Sequence, residues 1–241
     1  PYYGSYSSFQ LAETFNDNIT KFKHRGTYLS IKEMINKIEN SFSSNVVLKT
    51  LYLCELILNV IDFTDSIVKN HPRSEQMLQL IDNVNIILDK SGYIAKYNEK
   101  ENRIMIVCKN ADTFETINST SDKDIQYLLL QYVDLRTTND VITKKDILTN
   151  FGQYLEPKRD DLSELNKDLA DTIFFGLNNF HLRHNNKEGK DKKEYIINME
   201  KEDLIKWYDR LYSLILIAIR LLEMKNKLSE FDVLKKQSKS N

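Results

Sequence analysis

Apolar residues recur at three- and four-residue steps along most of this chain, the spacing that gathers them on one face of an α-helix. The first such run follows "SIKE", where Ser30 stands three residues before Glu33 as a reciprocal capping box and Ile31, Met34, Ile35 and Ile38 share a face behind it. Residues 45–69, "NVVLKTLYLCELILNVIDFTDSIVK", are apolar nearly all round in the middle and predict a central, deeply buried helix. In "HPRSEQMLQLIDNVNIILDKSG" Pro72 stands near the start and Gly92 just past the end, with Leu78, Ile81, Val84 and Leu88 as the stripe. The period then shortens. "YIAKY" (93–97) and "RIMIVCK" (103–109) are rich in β-branched and aromatic residues on either side of the polar "NEKEN", which predicts a two-stranded hairpin. A lone hairpin is marginal in water, so it must lie on helices or pair with another chain's edge.

Helical patterning returns beyond the polar stretch "KNADTFETINSTSDKD" (109–124), which reads as a seam between halves. "DKDIQYLLLQYVDL" and "TKKDILTNFGQYLE" predict two modest helices, the second stopped before Pro157. From Pro157 onward, Leu162, Leu165, Leu169, Ile173 and Leu177 follow at helical steps. "MEKEDLIKWYDRLYSLILIAIRLLEMKNKL" predicts a long helix with acids in its first turn and lysines at its end, matching the helix dipole. Its segment 204–222 is expected, with 45–69, to be the most buried. The reading is an all-α fold, helical bundles with one small β-hairpin. Residues 1–118 form a helical N-terminal region ending in the hairpin (93–109), 119–228 form a second helical domain, and 229–241 form a frayed tail. No fixed-period repeat is visible.

Composition narrows the function classes. At 241 residues, with 41% apolar and 29% charged side chains, the chain can bury a substantial core. A formal charge of −1 excludes a globally basic nucleic-acid binder, so any RNA contact must use a local patch. Six glycines and three prolines suit long helices and argue against sandwiches, barrels and Gly-rich phosphate loops. Cys54 and Cys108 make neither a zinc spacing nor a disulfide framework, and Cys54 in "LYLCELIL" reads as a reduced core thiol. The opening "PYYGSYSSFQLAETF" lacks the basic start and apolar run of a signal peptide. "LYSLILIAIRLL" (211–222) is shorter than the about 20 residues needed to span a bilayer and contains Arg220. A cytoplasmic protein without membrane association is therefore expected. The Lys, Asn, Ile and Tyr bias is that of a low-GC bacterial genome.

The stretch "NNFHLRHNNKEGK" (178–190) gathers the rarest capable side chains. The chain has four histidines, and eight arginines against 26 lysines; His181 and His184 flank Arg183 in a polar break between two long apolar-patterned segments. No HExxH, paired CxxC, GxGxxG, GxxxxGK[ST] or GxSxG motif occurs, so neither a metal nor another cofactor is expected. Arg183 with Lys187, Lys190, Lys192 and Lys193 makes a local cationic surface, diluted by Glu188, Asp191 and Glu194. A guanidinium offers a permanent, planar donor fork to phosphate, and imidazole moves protons near neutrality. Asn185 and Asn186 add donors and acceptors. Metal-free RNA cleavage needs that combination: a base on the 2′-hydroxyl, an acid at the leaving oxygen and cations on the phosphate. The competing structural reading is that Asn and basic residues close a helix C-terminus.

A helical C-terminal half with a polar Arg–His–Asn cluster between its last two long helices resembles the HEPN domains of bacterial abortive-infection-type proteins, over about residues 120–225. The preceding helices and hairpin are similar to regions often fused to such domains. The resemblance implies a defence or stress-response protein acting on RNA, as a metal-independent endoribonuclease whose site is composed across a homodimer. In active members an Arg, often followed by a polar residue such as Asn, precedes a His by four to six positions. Arg183 matches the Arg, and Asn185 or Asn186 the polar residue, but Lys187, Glu188 and Gly189 occupy the positions where the His belongs. Two alternatives follow. His184 or His181 substitutes, giving catalytic Arg183, His184 and Asn185 with His181, Asn186, Lys187 and Lys190 on the substrate; or the chain is a non-cleaving, immunity-type module that binds RNA or a protein partner. Elsewhere, His24–Arg25–Gly26 reads as a turn between helices before a phosphate contact. Trp207, Tyr208 and Tyr212 read as core or dimer seam before a base-stacking platform.

Overall fold

Ser30 Oγ accepts a hydrogen bond from the Glu33 amide (3.2 Å) and so opens the first helix, α1 (Ile31–Ser41). The computed structural model describes residues 13, 15–22, 24, 30–41, 45–67, 73–184 and 186–238. On α1 Met34 is buried and Ile35 is exposed, while the side chains of Ile31 and Ile38 lie outside the described residues. The central helix α2 (Val46–Ile67) buries Leu51, Tyr52, Cys54, Leu56, Leu58 and Ile61. Cys54 is a free thiol whose pKa burial raises, as a core cysteine requires. Helix α3 (Glu75–Lys90) is capped by Ser74, which accepts from the Met77 amide (3.2 Å); Pro72 lies outside the described residues. Only Val84 and Leu88 of its predicted stripe are buried. Leu78 is half exposed and Ile81 intermediate, because α3 meets its neighbours along a narrow seam.

Gly92, at φ +78°, turns the chain into the hairpin β1 (Tyr93–Asn98) and β2 (Arg103–Cys108), paired antiparallel with Ala95 opposite Ile106. The hairpin lies on helices: α3 packs along β1 and α2 along β2. The outward edge of β2 does not face water. Asn59 of α2 donates from Nδ2 to the Ile104 carbonyl (2.8 Å) and accepts at Oδ1 from the Ile104 amide (2.8 Å). One turn earlier Glu55, fully buried, accepts at Oε2 from the Ile106 amide (3.0 Å). Its other oxygen stands 3.3 Å from Arg103 Nη1, and Arg103 also donates from Nε to Glu101 (2.6 Å). His24 joins this cluster: it is buried, stacks on Phe22 at 6.1 Å, and places Nε2 3.4 Å from Glu55 Oε1. Of the predicted His24–Arg25–Gly26 turn only His24 is described, and it is buried; Arg25 and Gly26 lie outside the described residues.

The chain divides into two compact units, Pro1–Lys109 and Asn110–Asn241, within the polar stretch 109–124. The division falls at the start of that stretch, read as a seam between halves, and most of the rest is helix. Asn110 Oδ1 accepts from the Thr113 amide (2.9 Å) and starts α4 (Ala111–Ser119), which packs on the last helix of its own unit. Helices α5 (Lys123–Tyr132) and α6 (Val141–Leu155) begin at Asp122 and Asp140, each carboxylate accepting from two amides. A 3₁₀ turn at Glu156–Lys158 carries Pro157. The stretch predicted to run on from Pro157 is then two helices. Asn166 takes extended backbone (φ −159°, ψ 97°) and accepts from the Leu169 amide, ending α7 (Arg159–Leu165) and capping α8 (Lys167–Asn179). After the 180–193 loop come the short α9 (Glu194–Ile197) and the long α10 (Lys201–Ser238), which is still helical at 229–238 of the stretch expected to fray; 239–241 lie outside the described residues. Leu228 and Phe231, on this last part of the helix, are exposed.

Helix α10 organises this second unit, packing on α4, α6, α7 and α8. A Cβ on Gly176 would stand 2.9 Å from Leu211 Cδ1, so α8 and α10 approach closely only because that position is glycine. Tyr212 stacks on Tyr132 (3.8 Å, 11°), and its hydroxyl lies 3.0 Å from Thr113 Oγ1 and donates to the Leu129 carbonyl (3.3 Å), joining α10 to α4 and α5. The buried Lys144 of α6 pairs with Asp209, which also accepts from the Tyr132 hydroxyl (2.9 Å). Burial, ahead of the Asp209 charge, raises the Tyr132 pKa, so its phenol remains a donor. The fold is thus all-α with one β-hairpin, and the 204–222 segment is core on one side only.

Asn59→Ala leaves the Ile104 amide and carbonyl without their helix partner. A loss of about 2–4 kcal/mol is expected, the cost of unpairing two buried groups. Urea denaturation measures it; a change below about 0.5 kcal/mol, the usual range for a surface substitution, means water reaches that edge.

Candidate functional site

The 180–193 loop closes over the ends of α8 and α6. Phe180 donates its amide to the Gly176 carbonyl (3.0 Å), and its own carbonyl accepts from the Tyr208 hydroxyl (3.1 Å). The backbone then reverses through His181, at φ 59°, a region that a short polar side chain with a local hydrogen bond stabilises. Leu182 is buried as the loop's apolar anchor, and the Arg183 amide returns to the Leu177 carbonyl (3.1 Å).

Asn186 holds the loop together. It is 1% exposed. Its Oδ1 accepts from the His181 amide (2.7 Å) and its Nδ2 donates to the Asp191 carbonyl (3.0 Å). The Asn186 amide donates to His181 Nδ1 (3.2 Å) and to the His184 carbonyl (2.9 Å), and the Asn186 carbonyl accepts from the Lys193 amide (2.8 Å). Assigning Asn186 to substrate is therefore corrected: the carboxamide is spent on the turn. Asn185 lies outside the described residues.

The same bond decides the chemistry of His181. With an amide hydrogen pointing at Nδ1, that nitrogen must carry a lone pair, so the ring is neutral with its proton on Nε2. Burial pushes its pKa below the ordinary value, helped by the positive charges of Lys145 and Lys187. His181 is then a hydrogen-bond donor through Nε2 rather than a base. Lys145 is a participant that sequence reasoning missed. It lies on α6 seven residues before Gly152, the residue Arg183 reaches, and so shares that face about 10 Å along the axis.

Arg183 is braced on its own chain. Its Nη2 donates to the Gly152 carbonyl (2.8 Å), Nη1 pairs with Glu156, and the guanidinium lies over the Phe174 ring at 5.4 Å. It serves as the cap of α6 that basic residues near a helix C-terminus provide. Its side chain is still 21% exposed, so one edge of the fork reaches solvent. A Cβ on Gly152 would stand 3.3 Å from Arg183 Nε and 3.0 Å from Leu177 Cδ2, so glycine makes the approach possible.

His184 is the loop's outward imidazole, with a side chain 51% exposed and Nδ1 3.6 Å from Asp191 Oδ2. Lys187 and Lys190 are exposed on the same loop, Lys190 within the 3₁₀ turn Gly189–Asp191 that Gly189 enters at φ +76°. The structure therefore brings the sequence-chosen residues into one loop but divides them. Asn186, His181 Nδ1 and most of Arg183 face the scaffold; His184, Lys187 and Lys190 face outward. Among the described residues no three His, Cys, Asp or Glu side chains converge as a metal-ligand set, and no helix is long and apolar enough to cross a membrane. No family model matches the chain, and neither a curated protein nor a solved structure shows significant similarity to it.

His181 is expected to titrate below about 6.5, its unperturbed value, as followed through its ring C–H resonances. The sign follows from linkage: the unfolded chain takes the proton first, so stability falls as pH drops from the unfolded to the folded midpoint. His181→Asn, which tolerates the positive φ and carries no titrating group, should remove that part of the acid loss. An unchanged acid limb, or a midpoint above 6.5, overturns the assigned tautomer.

Proposed function

We propose that this chain is an RNA-binding module of a bacterial defence or stress-response system, of the kind its HEPN-like patterning implies, with the 181–191 loop as its contact to the phosphate backbone. One observation carries the reading: the buried Asn186 and the braced Arg183 make the loop rigid, while His184, Lys187 and Lys190 stand outward on it. A rigid loop loses little conformational entropy on binding, and cations on it release counterions from a polyanion. With a net charge of −1, such a patch is the electrostatic route to RNA open to this chain.

A second reading, metal-independent cleavage in a homodimer, is favoured by the His184–Asp191 contact. His184 Nε2 would take the 2′-hydroxyl proton as that oxygen attacks phosphorus, and an acid from the second copy would protonate the departing 5′-oxygen. Arg183 would then share its free edge with the phosphate. A protein partner in place of RNA is the remaining alternative.

The test uses labelled single-stranded RNA in EDTA with wild type, Lys187→Ala/Lys190→Ala, His184→Ala and Arg183→Lys. Wild type should bind, and the double lysine variant should flatten the plot of log affinity against log salt by about 0.7 per lysine. An unchanged slope removes the loop as the contact. Cleavage lost in His184→Ala selects the ribonuclease, which also requires a dimer in sedimentation. No binding to RNA selects the protein partner.

A further inference from the structure

We infer that Phe175, Phe180 and Trp207 form a stacking ledge for the bases of single-stranded RNA. The inference rests on the RNA reading above and adds to it a contact that reads bases rather than phosphates.

The ledge is aromatic surface that packing does not require. On α8 the core positions are Phe174 and Leu177, and on α10 they are Leu204, Tyr208 and Leu211; Phe175 and Trp207 project beside them, 56% and 39% exposed. Phe180 touches both rings, so the exposure is a continuous aromatic patch rather than isolated apolar side chains. Their arrangement is ordered. Phe180 stacks on Trp207 (5.3 Å, 24°) and meets Phe175 edge to face (6.3 Å, 85°). The Phe180 backbone is held at both its polar atoms, the carbonyl by the Tyr208 hydroxyl and the amide by the Gly176 carbonyl. The Arg210 guanidinium lies 4.6 Å from the indole centroid.

Position selects the occupant. Phe180 directly precedes His181, so the ledge runs straight into the loop bearing Lys187 and Lys190. Exposed rings interleaved with cations suit a strand whose bases are unstacked and whose phosphates run alongside. Duplex RNA offers no free base face, and protein interfaces are depleted of charge at their centres. Acids stand among these cations: Glu188, Asp191 and Glu194 are exposed on and beside the loop, Asp203, one turn before Trp207, pairs with Lys206 (2.8 Å), and Asp171 lies one turn before Phe175.

Trp207 is the single tryptophan of the chain and therefore reports on the ledge alone. The experiment titrates the full chain with labelled oligouridylate of about twelve nucleotides, within the length such a groove covers, and with a duplex of equal length. Label anisotropy and tryptophan emission are followed together. The single strand should quench Trp207, and the duplex should not. Phe175→Ala should weaken single-strand affinity roughly tenfold, the order expected for one lost base–aromatic stack, without changing the salt slope, since no cation is removed. Phe175→Leu, which keeps the apolar bulk and removes the ring, gives the same loss if Phe175→Ala folds poorly. Binding by anisotropy with unchanged Trp207 emission and unchanged Phe175 variants overturns the ledge and leaves the loop's RNA contact standing. Absence of any RNA binding overturns both. Emission that shifts with protein concentration alone, together with Trp207-dependent dimerisation, makes the ledge a seam between copies and overturns the inference.

Discussion

A buried backbone amide or carbonyl must be paired, and each unit meets that demand with side chains at the place where regular structure stops. In the first unit the place is the outer edge of β2. A two-stranded hairpin has no third strand to satisfy Ile104 and Ile106, so Asn59 and Glu55, one turn apart on α2, take the neighbour's role. This locks strand register to helix position, because a shift of one residue would present side chains where amides are needed. It also explains a fully buried carboxylate on an otherwise apolar helix. Glu55 is tolerated there because the Ile106 amide and the Arg103 guanidinium surround it with donors.

The second unit solves the same problem at the end of α8. The chain leaves the helix at Phe180 and must cross the C-terminal carbonyls of α6 before rejoining α9. Arg183 satisfies Gly152, and Asn186 satisfies His181 and Asp191. These are two of the side chains that sequence reasoning selected for chemistry, and their first duty is structural. The consequence for function is a division of labour rather than a loss. The residues that hold the loop are the reason the outward ones keep a fixed position, and a fixed position is what phosphate recognition or proton transfer requires.

Helix faces were legible in the sequence because the side chains concerned answer to local spacing. Leu162, Leu169, Ile173 and Leu177 are buried where periodicity puts them, Leu165 of the same stripe is exposed at the end of α7, and the hairpin appears where β-branched residues replace that period. What was not legible depends on partners far along the chain. Asn166 reads as an ordinary polar position within a helical stripe, yet it takes extended backbone and starts a new helix. The polar run 111–119 shows no stripe of its own, yet it is a helix whose Thr113 meets the Tyr212 hydroxyl. Leu78 fits its stripe, but α3 packs too narrowly to cover it. For the candidate site, the cluster of His and Arg marked the right loop. Which atoms face inward could not be read, because Lys145 and Gly152 belong to a helix some thirty residues away and Glu156 to the 3₁₀ turn that follows it.

The proposed pairing of loop and ledge would also answer how a chain of almost zero net charge could hold RNA. Long-range attraction is weak at −1, so affinity must come from short-range contacts and not from a broad positive field. Exposed cations alone would then give a weak, salt-sensitive grip. Aromatic stacking is far less sensitive to salt and needs the unstacked bases that only single strands offer. Tyr208 links the two: its ring is buried in the core of α10, and its hydroxyl holds the Phe180 carbonyl at the junction between the ledge and His181. A change that loosens Tyr208 should therefore disturb the proposed stacking ledge and the loop geometry together, because its hydroxyl holds the residue at which they meet.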